Sequence, residues 1–173
     1  MKTTIFLFHP NINVSRVNRA LSTAAEKAGI EVRNLYDLYP DWKIDVKKEQ
    51  EVLKDVDRIV FQFPMYWYST PSLMKEWFDQ VLEYGWAYGS EGNALQGKKV
   101  ILAVSQGSPA ESYTKSGRVE ATTEELLKPI FTIKYLTGLE FEAPFVVAGT
   151  SNLADDDLEK ASKEYVKRLN ELS

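Results

Sequence analysis

Cysteine is missing from all 173 residues, and histidine occurs once, at position 9. The first absence excludes disulfides, thiolate nucleophiles and thiolate metal sites, and it fits a reducing cytosol. The second leaves too few imidazoles for a zinc centre. Positive charge is not in excess either. The chain carries 21 lysines and arginines against 25 carboxylates, a formal net charge of −4, so no basic field marks it as a nucleic-acid binder. Long apolar runs are also lacking. The opening Met1–Phe8 imitates a signal peptide, but its apolar stretch stops at His9-Pro10, too short for a signal core or for membrane insertion.

Several motifs are absent or fail on inspection. No Gly-x-Gly-x-x-Gly follows the first predicted strand, and no Gly-x-Ser-x-Gly elbow occurs. The run from Gly92 to Lys99 approaches a P-loop, yet Lys99 stands where a hydroxyl must reach magnesium, and the run precedes a strand instead of following one. Asn13-Val14-Ser15 matches a glycosylation acceptor, which carries no meaning without a secretion signal. Asp155-Asp156-Asp157 reads as a helix start better than as calcium ligands.

What remains is ordinary in bulk, with 44% apolar and 27% charged residues, and the length suits one domain over residues 1–173. Strands are expected at Thr3–Phe8, Glu31–Asn34, Arg58–Phe63, Lys99–Ser105 and Glu140–Val147. Between them, helical spacing predicts a helix from Ser15 to a glycine stop at Gly29, a short polar helix over Val46–Leu53 and a helix over Ser72–Leu82. A further helix is expected over Thr122–Leu136, closed by Gly138. The last helix has an Asp156/Glu159 capping box and an apolar face of Leu158, Ala161, Tyr165, Leu169 and Leu172. Tyr36–Lys43 reads as irregular, and Tyr84–Gly97 as a long aromatic excursion. Strands alternating with helices point to parallel βαβ units, and a flavodoxin-like, doubly wound five-stranded sheet of order 2-1-3-4-5 is the natural α/β topology for this length.

In such a sheet the loops after strands one, three and four share the carboxyl edge, where ligands bind. The first loop holds His9, Asn11, Ser15 and Arg16 before a helix start, which suits either a phosphate cradle or a plain capped helix. The second is the most informative stretch of the chain. Pro64, Met65 and the consecutive rings Tyr66, Trp67 and Tyr68 precede Pro71, where a fold needing only a core would hide its rings on one face. Such a loop suits a planar ligand or a partner surface. The third, with Ser105, Gln106, Gly107, Ser108 and Tyr113, is a donor-rich loop or a simple turn. Taken together, the cradle, the ring platform and the donor loop describe a flavin mononucleotide site.

These segments, in this order, resemble the NAD(P)H:quinone oxidoreductases of the flavodoxin-like fold. The likeness rests on His9-Pro10, on Ser15, on Phe61–Pro71 with Leu73–Phe78, and on Gly107 followed by Tyr113. The chain is similar to their short bacterial members, which include modulators of drug activity and ancillary flavoproteins of potassium-efflux systems. The resemblance implies a homodimer with two flavin sites at the interface, expected to be cytoplasmic given the lack of cysteine, and FMN in preference to FAD because the chain is short. It also implies NAD(P)H as co-substrate and ping-pong reduction of a small aromatic acceptor such as a quinone. The implied flavin-binding residues are His9, Ser15, Pro64, Met65, Tyr66, Trp67, Tyr68, Ser105, Gln106, Gly107 and Ser108, with Tyr113 facing the acceptor. Some members carry a histidine shortly after that tyrosine; here Thr114–Val119 has none. A regulatory role on a membrane transporter is the alternative function, and an electron-transfer flavodoxin is a rival reading.

Overall fold

The computed structural model describes residues 1–171. Its strands are β1 (Thr3–Leu7), β2 (Glu31–Asn34), β3 (Arg58–Pro64), β4 (Lys99–Ser105), β5 (Glu140–Phe141) and β6 (Phe145–Val147). All pairings are parallel, in the order β2-β1-β3-β4-β5, with β6 also beside β4. The expected flavodoxin-like topology therefore holds. The central strands are buried on both faces, so they read as continuous apolar runs and not as alternation.

Helices cover both faces. On one side lie α1 (Arg16–Lys27) and α8 (Asp155–Asn170), which pack Val17, Leu21, Leu158 and Leu169 onto Ile5, Leu7, Val60 and Ile101. On the other lie α3 (Val46–Lys54) and α4 (Ser72–Val81), which pack Leu53, Trp77 and Phe78 onto Phe6, Ile59 and Phe61. Trp77 is fully buried, with ring centroids of Phe6 and Phe61 both 5.5 Å away. Ser15 caps α1 by accepting from the Asn18 amide, and Gly29 follows the helix at φ +82°, as the glycine stop requires.

Four expectations fail for physical reasons. A one-turn helix, α2 (Leu35–Leu38), occupies part of the stretch read as irregular; it buries Leu35. The helix expected over Thr122–Leu136 is three short ones, α5 (Thr123–Leu126), α6 (Lys128–Phe131) and α7 (Lys134–Thr137). Pro129 has no N–H to continue α5, while a Thr122/Glu125 capping box, not foreseen, fixes its start. The fifth strand is divided into β5 and β6. Val100 to Ala103 is three steps on β4, but their partners Phe141 and Phe145 are four apart, so the edge strand carries one extra residue beside Pro144. Finally, α8 starts at Asp155 with Ala154 as an uncapped N-cap; Asp156 lies inside the first turn, where three carboxylates face the positive helix end. Leu172 lies outside the described residues.

Helix α3 buries a charge. The Glu49 carboxylate is fully buried, pairs with Arg33 of β2, and accepts from the Tyr39 hydroxyl at 2.6 Å and the Trp77 indole at 3.1 Å. Burial first, then the bond to Glu49, pushes the Tyr39 phenol well above its ordinary range. Removing one partner of a buried pair strands the other, so Glu49→Ala should cost about 3–5 kcal/mol in urea unfolding. The apolar double change Arg33→Met/Glu49→Leu should cost much less. Equal losses in the two variants would show that the charge pair is not what holds α3, β2 and α4 together.

Candidate active site

Strand β3 lies between β1 and β4, and its carboxyl end sets the site. Leu7 pairs with Gln62 and Pro64 with Ser105. The ladder then runs one step further on each side, with Phe8 N–H donating to the Gln62 carbonyl at 2.9 Å and Met65 N–H to the Ser105 carbonyl at 2.8 Å. These bonds bring the three predicted loops together at one edge.

In the first loop, the Asn11 amide donates to His9 Nδ1 at 3.0 Å. That bond leaves Nε2 to carry the proton of a neutral ring, and burial holds the His9 pKa below its ordinary value. A 3₁₀ turn over Ile12–Val14 delivers the chain to Ser15. Among the described residues the amides of Arg16 and Val17 have no acceptor, which is the free donor set of a helix start. Arg16 itself turns away from that end. Its guanidinium donates to the Leu153 carbonyl at 2.6 Å and pairs with Asp155 at 2.5 Å, fastening α1 to the start of α8.

The second loop is a two-residue hairpin. Tyr66 and Ser69 exchange both backbone bonds, and the residues between them, Trp67 and Tyr68, have φ of 48° and 62°. This is the pattern of a type I′ turn, which ordinarily takes Asn-Gly. Two aromatic residues in left-handed conformations are costly, so the turn is strained at the place where its rings project. Trp67 is 92% exposed, and Tyr66 and Tyr68 are exposed beside it. In the excursion behind the turn the Tyr84 ring is exposed and set edge-on to Tyr88, 5.6 Å away, while Trp86 and Tyr88 pack on the core.

In the third loop, Ser105 and Gln106 are buried. The Gln106 side chain exchanges hydrogen bonds with the Thr123 hydroxyl and donates to Met65 sulfur at 3.4 Å. Its amide donates to the Val147 carbonyl and its carbonyl accepts from Thr150. Gln106 is thus committed to the frame. The next two amides, of Gly107 and Ser108, have no acceptor among the described residues, so they are free to donate to a bound group. Tyr113 closes a 3₁₀ turn over Ala110–Ser112 and is half-buried. Gly117 folds back on this turn so closely that a Cβ there would lie 2.4 Å from the Glu111 carbonyl oxygen.

Sequence reasoning missed the groups beneath these loops. Asn18, Gln62 and Tyr165 form a buried hydrogen-bonded set reaching Ser105. The one legible signal was Gln62, an amide within an apolar strand.

A sheet of this order with free amides and rings at its switch point defines a flavodoxin-type binding protein. The family model of the flavodoxin-like fold matches residues 1–169, and the chain belongs to that family. It is 41% identical over 170 residues to an uncharacterized NAD(P)H oxidoreductase, YrkL, of Bacillus subtilis (strain 168), covering 98% of both chains. It is 40% identical over 166 residues to the glutathione-regulated potassium-efflux system ancillary protein KefF of Enterobacter sp. (strain 638), covering 95% of this chain and 93% of that one. Among solved structures it superposes on general stress protein 14 of Treponema denticola in complex with FMN, with a TM-score of 0.94, 41% identity and 98% of each chain covered.

The strained turn yields a measurable expectation. Trp67→Gly removes a left-handed aromatic that buries almost nothing, so it should stabilise the unliganded protein by about 1 kcal/mol after glycine's own entropy cost. The thermal midpoint should rise by roughly 2–4 °C. A lowered midpoint would show that the turn is not strained.

Proposed function

We propose that this chain is a flavin-dependent NAD(P)H oxidoreductase that holds FMN at the carboxyl edge of its sheet. Its acceptors are quinones or similar electron-poor aromatics. One observation carries the reading: two pairs of unused amides flank an exposed aromatic turn on three adjacent strands. Those donors fit the polar ends of FMN, and the turn fits its ring. The FMN-bound relative and the NAD(P)H oxidoreductase name of another support the same cofactor and donor.

In this reading the amides of Arg16 and Val17 hold the phosphate, with Ser15, Asn11 and the neutral His9 around it. The amides of Gly107 and Ser108 stabilise negative charge on the pyrimidine side, as an oxyanion hole does. Pro64, Met65, Tyr66, Trp67 and Tyr68 wall the ring and exclude water. Arg16 and Gln106 serve through the frame, the one by anchoring α8 and the other by holding Met65 against Thr123. When bound, FMN supplies the hydride acceptor for NAD(P)H and the two-electron donor for the second substrate. The Tyr113 phenol donates a hydrogen bond to the acceptor oxygen. Donor and acceptor use one place in turn, which gives ping-pong order, and the lack of cysteine fits a cytoplasmic enzyme.

The purified protein should show an oxidised-flavin spectrum that NAD(P)H bleaches under nitrogen. A colourless protein that takes up no added FMN overturns the reading. Tyr113→Phe should slow the oxidative half-reaction by on the order of 10²-fold and spare the reductive one. An unchanged oxidative rate would remove Tyr113 from the chemistry.

The same reading includes a homodimer with the site at its interface. Beside the aromatic turn, a groove of about 430 Å³ runs between α4 and α6–α7, lined by Phe78, Leu82, Tyr88, Ile130, Ile133 and Leu136. Leu136 is exposed where it lines the groove, and its neighbour in α7, Tyr135, is 73% exposed. A partly apolar groove next to the site, with exposed side chains of α7 beside it, suits an association face. Sedimentation should give twice the chain mass, and a stable monomer with full FMN occupancy would refute the dimer. Likeness to KefF favours a second reading, in which the same flavoprotein also serves a potassium-efflux transporter. Co-purification with a membrane transporter separates the two roles.

A further inference from the structure

A polar chain crosses the core directly beneath the site. The Tyr165 hydroxyl of α8 donates to Gln62 Oε1 at 3.0 Å. Gln62 Nε2 donates to the Asn18 carbonyl at 2.9 Å and approaches Asn18 Oδ1 at 3.4 Å. Asn18 Nδ2 donates to Ser105 Oγ at 2.9 Å, and the Asn18 amide donates to Ser15 Oγ at 3.2 Å. Tyr165 and Gln62 are completely buried, and Asn18 and Ser105 nearly so. Burial alone pushes the Tyr165 phenol far above its ordinary range, so it stays a neutral donor.

The surroundings make these groups unusual. They sit on the face where Ile5, Leu7, Val60, Ile101 and Ala103 are packed by α1 and α8. An apolar side chain at position 62 would fill that space without desolvating an amide. The polar chain is tolerable because both ends of the Gln62 amide are satisfied.

Its route explains what it does. Strand β3 separates β1 from β4 in the sheet. The start of α1 and the loop after β4 therefore share no backbone pairing, although they flank the same crevice. Asn18 spans that gap, gripping Ser15 on one side and Ser105 on the other, while Gln62 and Tyr165 hold Asn18 from below. We infer that Gln62, Asn18 and Tyr165 are positioning residues that fix the separation between the phosphate-holding start of α1 and the ring-holding loop after β4. The inference rests on the FMN reading given above.

A ligand that reaches both loops depends on their spacing, whereas a ligand that reaches one does not. FMN and riboflavin differ by the phosphate alone, so they test the idea. In Gln62→Met and Tyr165→Phe the dissociation constant for FMN should rise by on the order of tenfold, more for Gln62→Met, with riboflavin affinity unchanged. Tyr165→Phe keeps the ring and removes one hydroxyl; if Gln62→Met does not fold, that variant decides alone. Wild-type FMN affinity in the folded variants overturns the inference. Equal weakening of FMN and riboflavin also overturns it, because that pattern reports local damage and not lost spacing. If the wild-type protein itself binds no FMN, the function proposed above fails and this inference falls with it.

Discussion

The carboxyl end of β3 is hydrogen-bonded on both flanks, to β1 through Phe8 and to β4 through Met65. Those two bonds carry the ladder one residue past the ends of β1 and β3 and fix where three chain segments leave the sheet. The free amides and the exposed aromatic turn each lie on a segment that leaves this edge. A shift of register by one residue would exchange the two faces of β3, sending Phe61 and Phe63 toward α1 and Gln62 toward Trp77. Site and core are thus set by the same pairing.

The two faces of the sheet solve their packing differently. Under α3 and α4 the aromatic layer around Trp77 excludes water, and the buried Glu49 finds three donors, from β2, from the residue after α2 and from α4. Under α1 and α8 the layer is aliphatic and is crossed by an amide and phenol chain. The first arrangement joins helices to the sheet. The second joins parts of the sheet edge to one another. Polar atoms in both places are costly to bury and are retained with partners.

Much of this was legible in the sequence, because periodicity reports burial well. The four longer strands and helices α1, α3, α4 and α8 followed from apolar spacing, and Gly29 and Ser15 marked the ends of α1. Rings between Pro64 and Pro71 pointed to the site, since no helix or strand could use them. Partners were not legible. Glu49 and Gln50 read as part of a polar surface helix, yet both are buried. Tyr165 read as one more apolar contact, although its hydroxyl meets a glutamine 103 residues away. Spacing tells which way a side chain faces and is silent about what it meets. Arg16 shows the same limit: its charge suited an anion, and the fold gives it to Asp155. Pro129 carries a helix break, which the apolar spacing on either side of it masks.

The bulge beside Pro144 has a consequence for assembly. It leaves that margin of the sheet with strands of two and three residues, a kink between them and an imino nitrogen that cannot donate. A second polypeptide could not zip onto such a margin to prolong the sheet. The opposite margin, four residues long in β2, offers little more. Copies of this chain are steered away from ribbon-like stacking, and any lasting union must be made by side chains.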